Sequence, residues 1–344
     1  MQRIKLKFVV LLLILSLTVY AQKEEDQWTV MFYNVENLFD TLNTPDKMDE
    51  EFTPGSEKIW NQERYGKKLD DIARVIQSMN PSELPEIIGL CEVENKEVLQ
   101  DLVRTDALRK GNYGIVHIES PDIRGIDVAL LYRTEEFTVT EKKALTVVFP
   151  FDSTETTRDI LYVKGQTNYN ETLHLFVNHW SSRSDGQRET EPKRIFAAVA
   201  LRKEIDMLLN RDDNAKIVIM GDFNDEPTNN SIFGMLMANN KKKNASGRDL
   251  FNLMYDMHNE TNTGTYNFRG TWNMLDQIII SQALLSPKSG LRTNYDSGKI
   301  FSAEWMMYND ERLGQAVPSR TYGGPNYYGG VSDHLPVYAT FFKK

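Results

Sequence analysis

Acids and amides stand where apolar segments of this chain end. In IVIMGDFNDEP, residues 217–227, four apolar residues and a glycine lead directly into Asp222 and Asn224. The apolar run predicts a buried strand, and the end of a buried strand holds a side chain in a fixed position. Asp and Asn also form turns by bonding to their own backbone, so these two residues alone leave a structural role open.

The same arrangement recurs at six strand ends. Each carries acids, amides or imidazoles, which a common cleft would bring together; the pairs are Asn34 and Glu36, Glu92 and Glu94, Asn178 and His179, Asp222 and Asn224, Asn273 and Asp276, and Asp333 and His334. Taken one at a time, Glu92 has the alternative of a solvated strand end and His179 that of a structural histidine. Their joint occurrence favours a functional site.

These residue types point to metal-assisted hydrolysis of a phosphoester. A hard cation such as Mg²⁺ takes oxygen ligands and usually only one or two carboxylates, for which Glu92 is a candidate with Asn34 beside it. His179 and His334 are candidates for a general acid or base, or for stabilising charge that develops in the reaction. A structural zinc site is not indicated, since it would require thiolates and more histidines.

The elements that must position these residues can be read from apolar periodicity. We predict strands at 28–35, 86–93, 113–118, 126–133, 137–148, 159–165, 172–179, 216–221, 275–281 and 335–342, helices at 61–79 and 188–209, and a surface loop at 240–248. Strands outnumber helices and several neighbours are joined by short turns. This pattern predicts a mixed α/β layered fold, two packed sheets flanked by helices.

The N-terminus reads as an export signal. A cationic start, an apolar run from about 8 to 17 and small residues near Ala21 predict a cleaved signal peptide at 1–21, followed by a single domain at 22–344. An uncleaved anchor is the alternative, and no cysteine follows the run to carry a lipid. The lone Cys91 excludes an intrachain disulfide, and its strand context predicts a core position.

Charge constrains the partners. The chain carries 40 basic and 49 acidic residues, a net charge of −9, and loss of the three basic residues in 1–21 leaves 37 against 49, or −12. Nucleic-acid binders normally present a basic surface. A polyanionic substrate would therefore require a divalent cation and a few local arginines or lysines.

Seven segments in order resemble the endonuclease/exonuclease/phosphatase superfamily, which includes deoxyribonuclease I, the exonuclease III type enzymes, inositol polyphosphate 5-phosphatases and bacterial sphingomyelinases. The segments span about residues 28–342; they are FYNVENL near 31–38, GLCEVEN at 89–95, RGIDVALLYR at 124–133, VNHWSSR at 177–183, GDFND at 221–225, TWNMLDQIIIS at 271–281 and SDHLP at 332–336. Each is weak alone, and their order makes the resemblance specific. It implies the family's four-layer α-β-β-α sandwich.

The resemblance also implies roles. Asn34 and Glu92 are similar to the metal-binding pair, and Asp222 and Asn224 to the pair that handles the attacking water and the phosphate oxygens. The remaining implied members are His179 and His334 as the phosphate-contacting histidines, Asp276 as the partner of His334, and Asp333 as an acid that also touches metal.

Four further assignments extend this set. Asp127 is predicted to orient His179, and Asn273 is assigned to substrate binding. Arg124 is interpreted as a phosphate ligand or a hairpin turn, and Arg183 as a substrate contact or a solvated arginine. Glu36 and Glu94 either support the site residues or lie at the surface, and we favour the surface. The aromatic segment 319–330, with Tyr322, Tyr327 and Tyr328, either contacts substrate or packs on its neighbours.

The resulting hypothesis is an exported phosphodiesterase, of endonuclease type, that uses Mg²⁺, with Mn²⁺ or Ca²⁺ as alternatives. Its expected partner is nucleic acid or a small phosphoester, and we expect a periplasmic or secreted monomer without membrane insertion of the mature chain. The first alternative is a phosphatase or a phosphoesterase for phospholipids or inositol phosphates. The second is a non-catalytic binding protein.

Overall fold

The computed structural model describes residues 27–80, 83–152, 154–241, 246–285 and 290–343. Its helices are α1 (Gln62–Met79), α2 (Lys96–Arg104) and α3 (Gln187–Arg211), and its strands are β1 (Gln27–Leu38), β2 (Ile87–Val93), β3 (Tyr113–His117), β4 (Asp127–Arg133), β5 (Phe137–Leu145), β6 (Ile160–Thr167), β7 (Thr172–His179), β8 (Lys216–Asp222), β9 (Leu250–Asn252), β10 (Tyr266–Phe268), β11 (Thr271–Asn273), β12 (Asp276–Ser281), β13 (Leu291–Ile300), β14 (Met307–Asp310), β15 (Gln315–Pro318), β16 (Tyr322–Gly323), β17 (Asn326–Tyr327) and β18 (Val337–Lys343). The predicted signal segment 1–21 lies outside the described residues.

The long strands form two six-stranded sheets. Sheet 1 has the order β13-β18-β1-β2-β4-β3, and sheet 2 the order β5-β6-β7-β8-β12-β9. Each contains one parallel pair, β1 with β2 and β7 with β8, among antiparallel neighbours. Three two-stranded hairpins, β10-β11, β14-β15 and β16-β17, accompany the sheets.

The sheets pack face to face over an apolar core. Alternate residues of each strand point into it, such as Val30 and Phe32 from sheet 1 and Val177, Val218 and Met220 from sheet 2. The predicted core position of Cys91 is confirmed, since its thiol is buried in the same layer.

Helices cover the two outer faces. In α1, Leu69, Ile72 and Ile76 pack on the outer face of sheet 1, as the spacing of apolar residues predicts. The helix α3 packs on sheet 2 through residues such as Leu201 and Ile205. The four-layer α-β-β-α sandwich is therefore confirmed.

Most predicted elements are found, with shifts of a few residues. The strand predicted at 137–148 ends at Leu145, and the helix predicted at 188–209 runs from Gln187 to Arg211. The helix α2 was not predicted, although its signal is present: the Asn95 side chain caps its N-terminus by accepting a hydrogen bond from Val98 N, and apolar residues follow at helical spacing. In the described parts of the chain, no helix combines the length and apolarity that a membrane span requires.

Candidate active site

Three predicted residues form one row across sheet 2. In the strand register, Asp222 of β8 lies opposite His179 of β7 on one side and Asp276 of β12 on the other. Val177, Met220 and Ile278, two residues away on the same strands, point into the core between the sheets. Because side chains alternate along a strand, the row continues the inner face at the mouth of this core.

Asn34 brings sheet 1 to the same point. Its side-chain Nδ2 donates to Asp222 Oδ2 at 3.0 Å and to Glu92 Oε1 at 3.3 Å, so one buried amide joins residues from both sheets. The pairing of β1 with β2 is irregular between Asn34 and Leu38, where the strand bulges. A bulge turns side chains away from the regular pleat, which is a frequent feature beside active sites.

The backbone of the site is strained. Glu36, Asn37, Glu92 and Asn224 all have positive φ, between 49° and 60°, although none is a glycine. Such conformations are costly for residues with a Cβ and tend to occur where surrounding contacts enforce them at functional sites. At Asn224 the enforcing contacts are visible: its N–H donates to Asp222 Oδ1 at 2.9 Å and its Nδ2 donates to the Trp180 carbonyl at 3.1 Å.

Two imidazoles flank Asp222. The Nε2 atoms of His179 and His334 each lie 3.8 Å from Asp222 Oδ2, and His179 Nε2 is also 3.8 Å from Glu92 Oε1. His334 Nδ1 contacts Asp276 Oδ2 at 2.7 Å, so the structure brings these two predicted residues together. The Ser332 hydroxyl accepts from His334 N and donates to the Asn34 carbonyl, so the segment before β18 is held against sheet 1.

Burial and nearby charges shift the pKa values of the two histidines in opposite directions. Burial lowers the pKa of His179 well below its ordinary value, and the nearby Arg158 and Arg124 lower it further. Burial also opposes protonation of His334, but the carboxylates of Asp276 and Asp222 outweigh it and raise the pKa of His334 well above its ordinary value. Desolvation, reinforced by Asp276, raises the pKa of Asp222 to about 6. A protonated and a neutral imidazole therefore face one carboxylate.

Three further carboxylates offer oxygen ligands beside this row. Glu36, Glu92 and Asp333 line the same cleft. Desolvation, followed by the charge of Asp333, raises the pKa of Glu36 to about 8, so burial and the neighbouring acid both disfavour its negative charge. Carboxylate oxygens are the donors that Mg²⁺ or Ca²⁺ prefers, and a cation bound among them would offset their repulsion. A separate group that could hold an ion consists of Asp222, Asp276 and His334. One ligand atom from each of these residues lies within 4.8 Å of the other two.

A cleft of about 890 Å³ is lined by Glu36, Glu92, His179, Asp222, Asn224, Asp333 and His334. The predicted substrate ligands Arg124, Arg183 and Asn273 all lie on its wall. The guanidinium of Arg183 is largely occupied by hydrogen bonds within the protein. It donates to the Asn224 carbonyl at 2.5 Å, to Asp225 at 3.1 Å and to Asn229 at 2.9 Å. Arg124 is exposed and donates to Asn37 Oδ1 at 3.2 Å.

Asp127 does not orient His179, and this assignment is corrected. Its Oδ2 lies 3.1 Å from His117 Nε2, and its Oδ1 accepts from Ser120 N. The next residue, Val128, points into the core between the sheets. Strand alternation therefore directs Asp127 to the outer face of sheet 1, away from His179. Among the residues that the structure describes, His179 Nδ1 has no hydrogen-bond partner.

The surface placement expected for Glu36 and Glu94 is also wrong, because they are only 8% and 4% exposed. Glu36 accepts from Thr321 N at 2.8 Å on the wall of the cleft. Glu94 accepts from Asp40 N and from the Thr44 hydroxyl, and so orders the chain after β1. Each acid follows a single valine that itself follows a polar residue, and only the folded chain shows that distant segments cover it.

Sequence reasoning missed several supporting cations. Arg158 is buried and donates to the His179 and Trp180 carbonyls and to Asp122 Oδ2 at 3.0 Å, which clamps the end of β7. Lys68 of α1 donates to Thr321 Oγ1 and the Val331 carbonyl, at the base of the segment that enters the SDH motif. Neither stands in a distinctive sequence pattern. Arg320, which contacts Asp333 at 3.3 Å, lies within the aromatic segment 319–330.

The aromatic segment mostly packs against the protein. Tyr322 is buried and Tyr327 packs in the same layer, whereas Tyr328 is exposed. The aromatic side chains on the cleft wall instead come from β10: Tyr266, whose ring stacks on His334 at 4.7 Å between centroids, and Phe268.

The chain is similar to known proteins over nearly its whole length. The model of the Endonuclease/Exonuclease/phosphatase family matches residues 29–343. No curated protein matches the chain.

Similar solved structures include a mannosyl-6-phosphatase from Bacteroides thetaiotaomicron VPI-5482, with 18% identity, a TM-score of 0.57 and coverage of 91% of this chain and 99% of that one. The catalytic domain of human Nocturnin with bound sulfate has 17% identity, a TM-score of 0.55 and coverage of 92% and 97%. TDP2 from D. rerio, complexed with a single-strand DNA product, has 16% identity, a TM-score of 0.54 and coverage of 92% and 99%. At these identities the likeness is one of fold.

Proposed function

The chain belongs to the endonuclease/exonuclease/phosphatase family, and on that premise we propose that it is a divalent-metal-dependent phosphodiesterase that cleaves nucleic acid by attack of water. The observation that carries this proposal is the row His179–Asp222–Asp276 with His334 closing over it, beside the acids Glu36, Glu92 and Asp333. Endonucleolytic cleavage, export by the segment 1–21 to the periplasm or the medium, and a monomeric state form part of the same proposal.

Each side chain has a defined task in this reaction. Asp222, with a pKa of about 6, accepts the proton of the attacking water near neutral pH. His334 is kept protonated by Asp276 and donates a hydrogen bond to a phosphoryl oxygen, where negative charge accumulates. His179 is kept neutral and offers Nε2 to the same region. Arg124 adds positive charge at the rim.

The metal would be held by Glu92, Asn34 and Asp333, with Glu36 beside them. A bound Mg²⁺ supplies charge neutralisation at the phosphate and lowers the barrier to nucleophilic attack. It would also offset the net charge of −12 of the chain without residues 1–21, which otherwise repels a polyanionic substrate.

A second candidate is a phosphatase acting on a sugar phosphate or another polyol phosphate. The observation that favours it is a pocket of about 580 Å³ that shares Glu36 and Asn37 with the cleft and is also lined by Glu50, Glu51 and Glu57. Carboxylates accept hydrogen bonds from hydroxyl groups and repel further phosphates. A mannosyl-6-phosphatase is among the similar folds.

Hydrolysis assays distinguish the two candidates. The purified chain from residue 22 is incubated with supercoiled plasmid, single-stranded RNA, bis-p-nitrophenyl phosphate, inositol polyphosphate, sphingomyelin and mannose 6-phosphate, with Mg²⁺, Mn²⁺, Ca²⁺ or EDTA. Plasmid nicking that requires metal and is lost in His179→Ala supports the endonuclease. Intact plasmid with turnover of mannose 6-phosphate, inositol polyphosphate or sphingomyelin would reject it and assign the phosphatase or phospholipase branch.

A further inference from the structure

The hairpin β10-β11 places an unusual pair of side chains in the cleft. Phe268 and Arg269 at its tip both line the cleft, and Phe268 is 54% exposed. Single exposed apolar residues are common on protein surfaces, but one that lines the site of chemistry offers contact area to a ligand. Neither residue belongs to a motif that carries the reaction.

Hydrogen bonds hold the tip of this hairpin in place. Arg269 and Gly270 form a two-residue turn, both with positive φ, and Phe268 pairs with Thr271 across it. Gln315 of the neighbouring hairpin donates to the Gly270 carbonyl at 2.8 Å and accepts from Trp272 Nε1 at 3.0 Å. A tip held in this way does not have to be ordered when substrate binds.

The position of Phe268 follows from strand geometry. Tyr266, two residues earlier, stacks on the catalytic His334, and residues two apart on a strand share one face. Phe268 therefore lies about 7 Å further along the face that packs on His334, since each residue advances the strand by about 3.4 Å. A group attached next to the phosphate that His334 contacts would reach this ring.

The chemistry of the pair matches a nucleotide. Within the described parts of the chain, no other aromatic ring stacks on Phe268, while the Arg269 guanidinium lies 5.2 Å from its centroid. Arg269 is exposed and forms no ion pair with a described carboxylate. An aromatic face beside an unpaired guanidinium is the combination that stacks a base and attracts its phosphate.

We propose that Phe268 and Arg269 form a subsite that stacks the nucleobase next to the scissile phosphate, which makes single-stranded nucleic acid the preferred substrate class. This inference rests on the proposed function of the same cleft. It adds a specificity element that the hydrolytic residues themselves do not supply, because those residues contact only the phosphate.

The test compares a single-stranded oligonucleotide with a copy in which abasic tetrahydrofuran residues replace the nucleosides. We expect Phe268→Ala to lose roughly 5- to 150-fold in kcat/KM on the base-bearing strand, the range that one base–aromatic stack provides, and to match the wild type on the abasic strand. Phe268→Trp should restore the preference for bases. Tyr328→Ala is the matched control, because Tyr328 is an exposed aromatic residue of the neighbouring segment that does not line the cleft.

An equal loss on both strands, or no loss on either, would overturn the subsite while leaving the proposed phosphodiesterase intact. Mannose 6-phosphate is a third substrate for Phe268→Ala. A loss of kcat/KM on this substrate alone would show that the ring packs on a sugar, which also overturns the nucleobase assignment. A wild-type chain that cleaves neither strand under any metal condition would contradict the proposed function itself. Arg269→Gln should raise KM on both strands, because it removes a charge that attracts phosphate whether or not a base is present.

Discussion

Asp222 is surrounded by groups whose protonation states depend on one another. Its Oδ2 accepts from Asn34 and lies 3.8 Å from both His179 Nε2 and His334 Nε2. Asp276 holds the proton on His334, and burial keeps His179 neutral. Opposed protonation of neighbouring groups is how one site supplies an acid and a base at the same pH.

Replacing Asp276 by Asn tests this arrangement. The carboxylate raises the pKa of His334, so the neutral amide should lower it. If protonated His334 is the active form, the alkaline limb of the kcat/KM profile should move to lower pH, and the rate at pH 8 should fall by about 10²-fold or more. A pH profile of wild type and Asp276→Asn measures both. An alkaline limb that stays in place would remove His334 from the acid role.

Glu92→Gln tests the metal assignment. Loss of one carboxylate ligand should raise the Mg²⁺ concentration for half-maximal activity by roughly 10-fold or more, since Mg²⁺ depends on few charged ligands. A Mg²⁺ titration of activity measures the shift. Glu57→Gln is the control, because it removes the same charge from an exposed residue in the adjoining pocket. Equal shifts in both variants would indicate a general charge effect.

Among the elements, β7 and β8 must approach closely for the catalytic row to form. A Cβ added at Gly221 would lie 2.6 Å from both the Cβ and the carbonyl oxygen of Asn178 on β7. This explains why glycine precedes Asp222 in the GDFND motif: any side chain there would force the two strands apart.

We therefore expect Gly221→Ala to lower the free energy of unfolding by about 1–3 kcal/mol, the usual cost of overpacking. The value of kcat/KM should also fall, by up to about 10²-fold, if Asp222 is displaced by about 1 Å. Urea unfolding and kcat/KM measure the two effects. Gly66→Ala in α1 is the control, since nothing lies within 4 Å of the added Cβ, and it should be neutral or stabilising. A Gly221→Ala variant with wild-type stability would contradict the close approach.

For the whole molecule, buried histidines make stability depend on pH. Burial, followed by the charge of Lys164, lowers the pKa of His174 to about 4, and its Nδ1 lies 2.9 Å from the Tyr162 hydroxyl. The ordinary pKa in an unfolded chain is about 6.5. Between these values the unfolded chain binds more protons, so the contribution of neutral His174 is present above pH 6.5 and is lost as the pH falls toward 4.

His174 should therefore contribute a fall in the free energy of unfolding between pH 7 and pH 5, and His174→Gln should remove that contribution. Urea midpoints at the two pH values measure it in both proteins. The difference between the proteins isolates His174 from His179, which acts in the same direction, and from groups with raised pKa values that act in the opposite one: His334, Asp222 and Glu36. Identical pH dependence in both proteins would contradict the buried neutral state of His174.

Local patterns determined most of the architecture and the members of the site. Apolar alternation located the long strands because burial on one face imposes a period of two. Acids, amides and imidazoles at strand ends located a set of residues that the fold brings together, because the end of a buried strand holds its side chains in place; they are Asn34, Glu92, His179, Asp222, Asp276 and His334. The order of the seven motifs indicated the family that the whole-chain match supports.

Tertiary structure alone decided the partners and charges of these residues. Asp127 contacts His117 because it lies on the outer face of sheet 1, and Glu36 and Glu94 are buried because distant loops cover them. Arg158, Lys68 and the ring of Tyr266 reach the site from segments without a motif. A pKa depends on burial and on charges brought close from anywhere in the chain, so the protonation of His179 and His334 was decided only when the two sheets met.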